Sequence, residues 1–540
     1  MLEVTTNLYT ALKRLRQTDR VGFWWIDAIC INQIDNQEKN QQVPLMGEIY
    51  KSSLATFAWI GEEPEGNFEM DQVTNTLNQL AATYLEVPQE PEISLFGVVK
   101  ESHEIPSGEK LKELAQSPSW TGIVDVLLRR SYFTRLWVLQ EIALASQVTV
   151  VCGRHLWGFN TFFQAARIVW QCRFLTESSV QDVLTNRLSA LIAIGDFRHR
   201  LKSARRALAT PSNLRLTDCI WGNQMFKCTV DRDRVLGVLG LFNLGDHGDF
   251  QSGIQDLGSD EQVYMAAARH MLLVDGNAGG SLFRLQNTAP GSRKLKIPSW
   301  APILDKDNME LGLRRLPESL HQVLEHEKPE IADYGDRAVA VFDAYIFDNV
   351  SSASENLSEF TIGSFISSSV EKLGPSLAYS TPSVALTAFW QILIAYAPEQ
   401  EHDLHDCAME FQNIISSRLG DKDFASIRPD DPDIQIFNNE MAYYLYRFGG
   451  FWGRNVFTTG KGYFGIGPMG CNSSGCPKNV AVVQHKDVVA VMGGYRLPVV
   501  LRPVGDGSYT YVGNAYVGLL AEAPILKPEN FPGFERIRVC

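Results

Sequence analysis

Apolar positions along the first 155 residues follow two alternating rhythms. Leu8, Leu12 and Leu15 fall at i, i+4 and i+7, the spacing of one helix face. Residues 21–27 then read Val-Gly-Phe-Trp-Trp-Ile-Asp, an almost wholly apolar run ending in a carboxylate, as expected of a strand covered on both faces. Val43, Met46, Ile49 and Tyr50 give a second helical stripe, and residues 54–60 a second apolar strand closed by Gly61. Helix, strand, helix, strand at this spacing predicts a parallel α/β sheet. Pro44 interrupts the stripe that would run from Glu38 to Tyr50. Its ring clashes with the carbonyl four residues back and it lacks an N–H, so the helix should kink or begin near Pro44.

Farther along, the pattern predicts a surface insertion over 86–118, helices over 119–130 and 131–146, and a strand over 148–152. Nearly everything from 160 to 275 reads helical, and 276–298 reads as loop. Residues 299–450 mix helices and short strands. After Gly449-Gly450, short alternating runs at 479–484, 487–492, 498–503 and 508–513 predict a small antiparallel β unit. The expected organisation is an α/β domain over 1–158, a helical region over 159–298, a mixed region over 299–450 and a β segment over 451–540.

Composition narrows the function. The 540 residues carry 49 basic and 62 acidic side chains, a formal net charge of −13, which argues against a nucleic-acid binder that depends on bulk positive charge. The basic run from Arg198 to Arg206 reads as a solvated helix face. No apolar run reaches the roughly 18 residues of a membrane helix, and the residues near Met1 do not read as a signal peptide. Nine cysteines, an odd number, make no disulfide framework and point to a reducing, cytoplasmic setting.

Two stretches hold candidate chemistry. Asp27, at the carboxyl end of a buried parallel strand, would lie where open α/β sheets bind ligands, with Asn32 and Gln33 in the following loop able to bond a ribose or other polyol. The competing reading has Asp27 capping a turn or helix and the two amides satisfying loop backbone. In the second stretch, Trp137, Gln140, Glu141 and Leu144 share one helix face. Glu141 is then either paired with Arg135 or Arg130, or carries a raised pKa suited to acid–base work. Gly465-Ile-Gly-Pro-Met-Gly470 spells the dinucleotide fingerprint, but Pro468 and the residues after it deny it a helix, so a β-turn is expected. His402, His405 and Cys407 lie close in sequence, yet the cysteine spacing lacks any CxxC, and no metal is assigned. Cys30, following an apolar run, reads as a packing residue.

At these stretches the chain resembles a known family. Trp25-Ile-Asp-Ala-Ile-Cys-Ile-Asn-Gln33, then Asp35, Glu38, Gln42-Val43, Met46, Ile49-Tyr50 and Trp59-Ile60-Gly61, is similar to the fungal heterokaryon-incompatibility (HET) domain. Arg135-Leu-Trp-Val-Leu-Gln-Glu141 with Val151-Cys152-Gly153 resembles that domain's later block. Asp231 to Val235, Pro298-Ser299-Trp300, Arg454 to Gly467 and Leu497 to Arg502 resemble segments that follow it. The family's usual opening strand, of Tyr-x-Ala-Leu-Ser-Tyr-x-Trp-Gly type, has no counterpart ahead of the first helix, which leads one to expect an exposed sheet edge.

The resemblance implies a cytoplasmic effector of fungal non-self recognition and regulated cell death. It would work through contacts with other proteins, an incompatibility partner or a second copy, without nucleic acid or a membrane span. The family's distant likeness to flavodoxin-like and Toll/interleukin-receptor (TIR) domains implies an alternative, NAD glycohydrolase activity. In that case Glu141 and Asp27 are catalytic, Asn32, Gln33, Arg135, Trp137 and Gln140 bind ligand, and NAD is substrate with no resident cofactor. A third reading is a degenerate, inactive member.

Overall fold

The computed structural model describes residues 4–16, 22–66, 68–86, 118–127, 129–171, 178–206, 214–223, 225–241, 254, 259–275, 295–304, 329–334, 337–356, 378–379, 384–385, 388–389, 392, 454–469, 482–495, 497–518 and 530–540. The chain is mixed α/β and divides into two compact units, Met1–Gly258 and Ser259–Cys540.

In the first unit a small sheet has the order β1 (Thr56–Trp59), β2 (Val148–Cys152), β3 (His155–Gly158). β1 and β2 are parallel, with Thr56 opposite Val148 and Trp59 opposite Val151, while β3 returns antiparallel. The expected strands at 54–60 and 148–152 are present, and β3 is a strand that the hydrophobic pattern does not predict. The helix Thr6–Arg16 is present, and Trp59 Nε1 donates to its Asn7 Oδ1 at 3.1 Å. Pro44 breaks its helix as expected: Asn36–Gln42 is helical, Val43–Leu45 tightens to a 3₁₀ turn, and Met46–Ser52 resumes.

The strand expected over 21–27 is not formed. Residues 22–26 are unpaired and Asp27–Cys30 is one helical turn. Phe23 is fully exposed, and Trp24 reaches the sheet only through its ring, 5.2 Å from that of Phe57. An apolar run alone does not distinguish a buried strand from an extended segment lying beside a sheet. The helix expected over 131–146 is a 3₁₀ turn, Tyr132–Thr134, followed by the helix Val138–Ala143.

Helices build the rest of this core. Met70–Glu86 buries Val73, Leu77, Leu80 and Ala81, one face of a 3.6-residue repeat, against Phe159–Gln171 and Pro118–Leu127. The long helix Ser178–Arg206 packs on Phe159–Gln171 and Val138–Ala143. Its basic run is not wholly solvated, because Arg198 is only 4% exposed. The expected insertion over 86–118 lies outside the described residues apart from its ends.

Among the described residues the second unit holds a nine-stranded sheet: β4 (Glu330–Tyr334), β5 (Arg337–Asn356), β6 (Arg454–Thr459), β7 (Phe464–Met469), β8 (Val488–Met492), β9 (Pro498–Val504), β10 (Ser508–Asn514), β11 (Tyr516–Val517) and β12 (Glu535–Val539). Five of these close on themselves: β5 pairs β12, β12 pairs β10, β10 pairs β9, β9 pairs β8, and β8 pairs β5. Only β10–β12 is parallel in that circuit. β5 is long enough to serve the closed circuit and then continue to β6, bending at register shifts on the way. The C-terminal β unit is therefore present, with the strands near 487–492, 498–503 and 508–513. Residues 482–484 are not strand, and 479–481 lie outside the described residues. Gly465 and Gly467 belong to β7 rather than to a turn, and Gly470 lies outside the described residues. A Cβ on Gly465 would stand 2.2 Å from the Phe457 ring, so close cross-strand packing explains that glycine.

Candidate functional site

Asp27 opens the one-turn helix and turns Oδ1 onto the backbone N–H of Ala28, 2.7 Å away. It does not end a parallel strand, so the geometric basis for a strand-end ribose site at this residue is gone. The loop behind it is held by its own polar groups. Gln33 Nε2 donates to Asp27 O at 3.0 Å, Asn32 Oδ1 accepts from Ile34 N at 3.2 Å, and Glu38 Oε1 accepts from Asn32 N at 3.0 Å. Asp35 caps the following helix by accepting from the N–H groups of Gln37 and Glu38. Asn32 and Gln33 thus bond the loop backbone.

The second stretch divides its side chains between two directions. Trp137 Nε1 donates to Asp233 Oδ2 at 3.1 Å, and Gln140 Nε2 to Leu236 O at 3.3 Å. Gln140 is 2% exposed and its Oε1 presses on the Gly47–Gly240 crossing; a Cβ on Gly240 would meet it at 2.8 Å. Both residues therefore fix the 233–240 segment. Arg130 also turns away, donating from Nη2 to Glu62 O at 2.9 Å.

Glu141 faces the other way. It is 9% exposed, Tyr132 Oη donates to its Oε2 at 2.7 Å, and its Oε1 has no hydrogen-bond partner among the described residues. Burial raises its pKa, Arg135 and the Tyr132 hydrogen bond oppose that rise, and the Asp27 carboxylate adds to it. The same charges reach Tyr50: burial holds its proton on, Glu141 and Asp27 reinforce this, and Arg135 opposes it. Tyr132 is held protonated by burial and by Glu141 in the same way. Trp25 closes the group, its ring edge-on to Tyr50 at 5.7 Å. Asp27, Arg135 and Glu141 are therefore brought together, and Tyr50 and Tyr132 join them. In the sequence Tyr50 reads as the last position of a helical stripe, with nothing to tie it to Glu141. Tyr132 gave no signal, since its partner lies across a break in the helix.

A carboxyl in this state does one of two things. It holds or takes a proton closer to neutrality than an exposed Glu, or it receives a donor from a bound group on its open oxygen.

The carboxyl ends of β1 and β2 gather other polar groups, which satisfy one another. Arg14 pairs with Glu62 at 2.8 Å, Arg154 N donates to Glu63 Oε1 at 3.1 Å, and His155 Nε2 lies 3.8 Å from the same oxygen. Cys152 is buried there, and burial pushes its thiol up to about 11, which makes it a poor nucleophile. Among the described residues no three His, Cys, Asp or Glu side chains gather as a metal site; His402, His405 and Cys407 lie outside them. No helix among the described residues is long and apolar enough to cross a membrane.

Comparison with known proteins bears on the same stretch. Residues 1–141 match the family described as heterokaryon incompatibility protein (HET). The match takes in Asp27, Tyr50, Tyr132, Arg135 and Glu141. Over most of its length the chain is similar to heterokaryon incompatibility protein 6, OR allele, of Neurospora crassa: 23% identity over 599 aligned residues, covering 95% of this chain and 84% of that protein. No solved structure matches the chain.

Proposed function

We infer that this chain, with its N-terminal HET-type domain, is an incompatibility effector of the fungal cytoplasm. It takes part in non-self recognition and regulated cell death through contacts with other proteins. The observation that carries this reading is the similarity to a Neurospora crassa incompatibility protein along 95% of the chain. A half-satisfied, buried Glu141 beside Asp27 supports it, because a partner that supplies a donor gains more there than at an exposed pair. The test is expression of the full chain in one of two fungal strains that otherwise fuse freely. Arrest of the fused cells, with normal growth of each strain alone, is the expected result. Normal growth of fused cells that contain the folded chain would exclude an effector role.

One observation favours a second reading, that the domain is of TIR or flavodoxin-like type and hydrolyses NAD. Asp27 and Glu141 share one electrostatic cluster. In such a reaction the N-glycosidic bond breaks, nicotinamide leaves with the bonding electrons, and water adds to the anomeric carbon. A carboxylate stabilises the oxocarbenium-like state and accepts the water's proton. NAD loss in the presence of purified wild type, abolished in a Glu141→Gln variant whose melting temperature is no lower, is the result expected of an enzyme. Equal NAD consumption by the two proteins would remove Glu141 from any such role.

A further inference from the structure

Residues 142–146 carry the chain from the Glu141 helix into β2, and several of their carbonyls face one buried guanidinium. Arg198, on the Ser178–Arg206 helix, donates from Nη1 to Ile142 O at 2.5 Å and Ala145 O at 2.6 Å, and from Nη2 to Ser146 O at 3.2 Å. One turn later, Lys202 Nζ donates to Ser146 O at 3.3 Å. The last carbonyls of a helix lack partners within it and carry the negative end of its dipole, so a planar, multiply donating cation suits this place. Phe159 backs the guanidinium, with its ring centre 5.9 Å away.

The same corner reaches the other half of the cluster. Ser146 Oγ lies 3.0 Å from Ser53 O and 2.9 Å from Leu54 O, directly after the Met46–Ser52 helix that carries Tyr50. Arg198 and Ser146 therefore join the end of the Glu141 helix to the end of the Tyr50 helix.

We propose that Arg198 is a positioning residue, fixing Glu141 against Tyr50 and Tyr132 by clamping the 142–146 turn. The proposal rests on the reading that the Asp27–Glu141 cluster is the working site, and it identifies the long helix as the element that governs it. A displacement of Ser178–Arg206 moves the clamped turn and, with it, the carboxyl of Glu141.

The experiment uses the full chain with Arg198→Met and Arg198→Lys, and Glu141→Gln as the spectroscopic blank. Infrared difference spectra against the blank follow the Glu141 carboxyl from about pH 4 to about pH 9. Hydrogen exchange is measured in peptides covering 46–54, 138–146 and 159–171. In Arg198→Met the Glu141 midpoint should fall by about one unit as water enters, a tenfold change in proton affinity. Exchange should rise about tenfold in 46–54 and 138–146 and stay unchanged in 159–171. Arg198→Lys, which keeps the charge but not the planar fork, should show a smaller change of the same sign in both. A folded Arg198→Met chain in which Glu141 titrates as in wild type would overturn the proposal, as would exchange that rises evenly through the unit. Should Arg198→Met not fold, Arg198→Lys decides: a smaller shift of the same sign supports the clamp, and a wild-type midpoint overturns it. Neither readout uses fused-cell arrest or NAD turnover. An inert cluster would therefore leave this result standing, and failure of the clamp would leave the functional reading standing.

Discussion

Two buried carboxylates, one in each unit, are held in opposite ways. Asp487, 2% exposed in the second unit, is gripped by Arg502 through two bonds of 2.8 and 2.9 Å and accepts the Gln484 N–H at 2.8 Å. Glu141, 9% exposed in the first unit, has among the described residues one neutral donor and one open oxygen, with Arg135 and a second carboxylate within electrostatic reach. The sheets differ in the same sense. Five strands of the second unit close on themselves, whereas β1 in the first pairs only with β2 among the described residues. A fully paired carboxylate in a closed sheet is a brace. One left half-satisfied holds free energy that a bound group can recover, and perturbed titration of this kind collects at working sites.

The largest test of that contrast removes residues 535–540. β12 then leaves its place between β5 and β10, the circuit opens, and Phe342 and Ala344 lose their cover. The cooperative calorimetric transition of the second unit should disappear, a loss beyond about 5 kcal/mol. A retained transition would show that closure does not hold this unit together. Next in size is Arg502→Ala, which leaves the Asp487 charge buried without its cation and should cost about 3 kcal/mol in denaturant unfolding of the full chain. Tyr132→Phe, by comparison, deletes the one hydrogen-bond donor that Glu141 has among the described residues and should cost about 1 kcal/mol. Equal costs for the two would erase the distinction between brace and site.

What could be read in advance follows from the range over which each interaction acts. The amphipathic stripe of Thr6–Arg16, the break at Pro44 and the apolar runs of β1, β2, β8, β9 and β10 depend on neighbours a few positions away. The 22–26 segment reads as a strand and is none, because the hydrophobicity of Phe23, Trp24 and Trp25 is the same whether or not their backbone joins a sheet. Closure of the barrel depends on β12 meeting β5 almost 200 residues earlier, and no local periodicity records it. At the site, Glu141 and Asp27 were legible as carboxylates set among apolar residues. Their company was less so: Arg130 goes to the Glu62 carbonyl, Trp137 and Gln140 go to the 233–240 segment, and Tyr50 and Tyr132 arrive from other elements. Arg198 is the sharpest case, because a basic run in a helix gives no sign that one member will be buried against backbone carbonyls.

The smallest predicted effect discriminates best between the two kinds of carboxylate. Burial, reinforced by Asp27, raises the pKa of Glu141 above its ordinary value of 4.5 despite Arg135 and Tyr132. The native chain then binds this proton more tightly than the unfolded chain, so native stability falls as pH rises from 4.5 to the raised native value and levels off above it. Gln at this position does not titrate and still accepts the Tyr132 hydroxyl. The stability of Glu141→Gln relative to wild type should therefore be flat in acid, grow through that window and end on the order of 0.5 kcal/mol in the variant's favour. Melting curves of both proteins across the pH range measure it. A difference of the opposite sign, with the variant losing ground as pH rises, would mean that Glu141 is stabilised as an anion and serves as a brace.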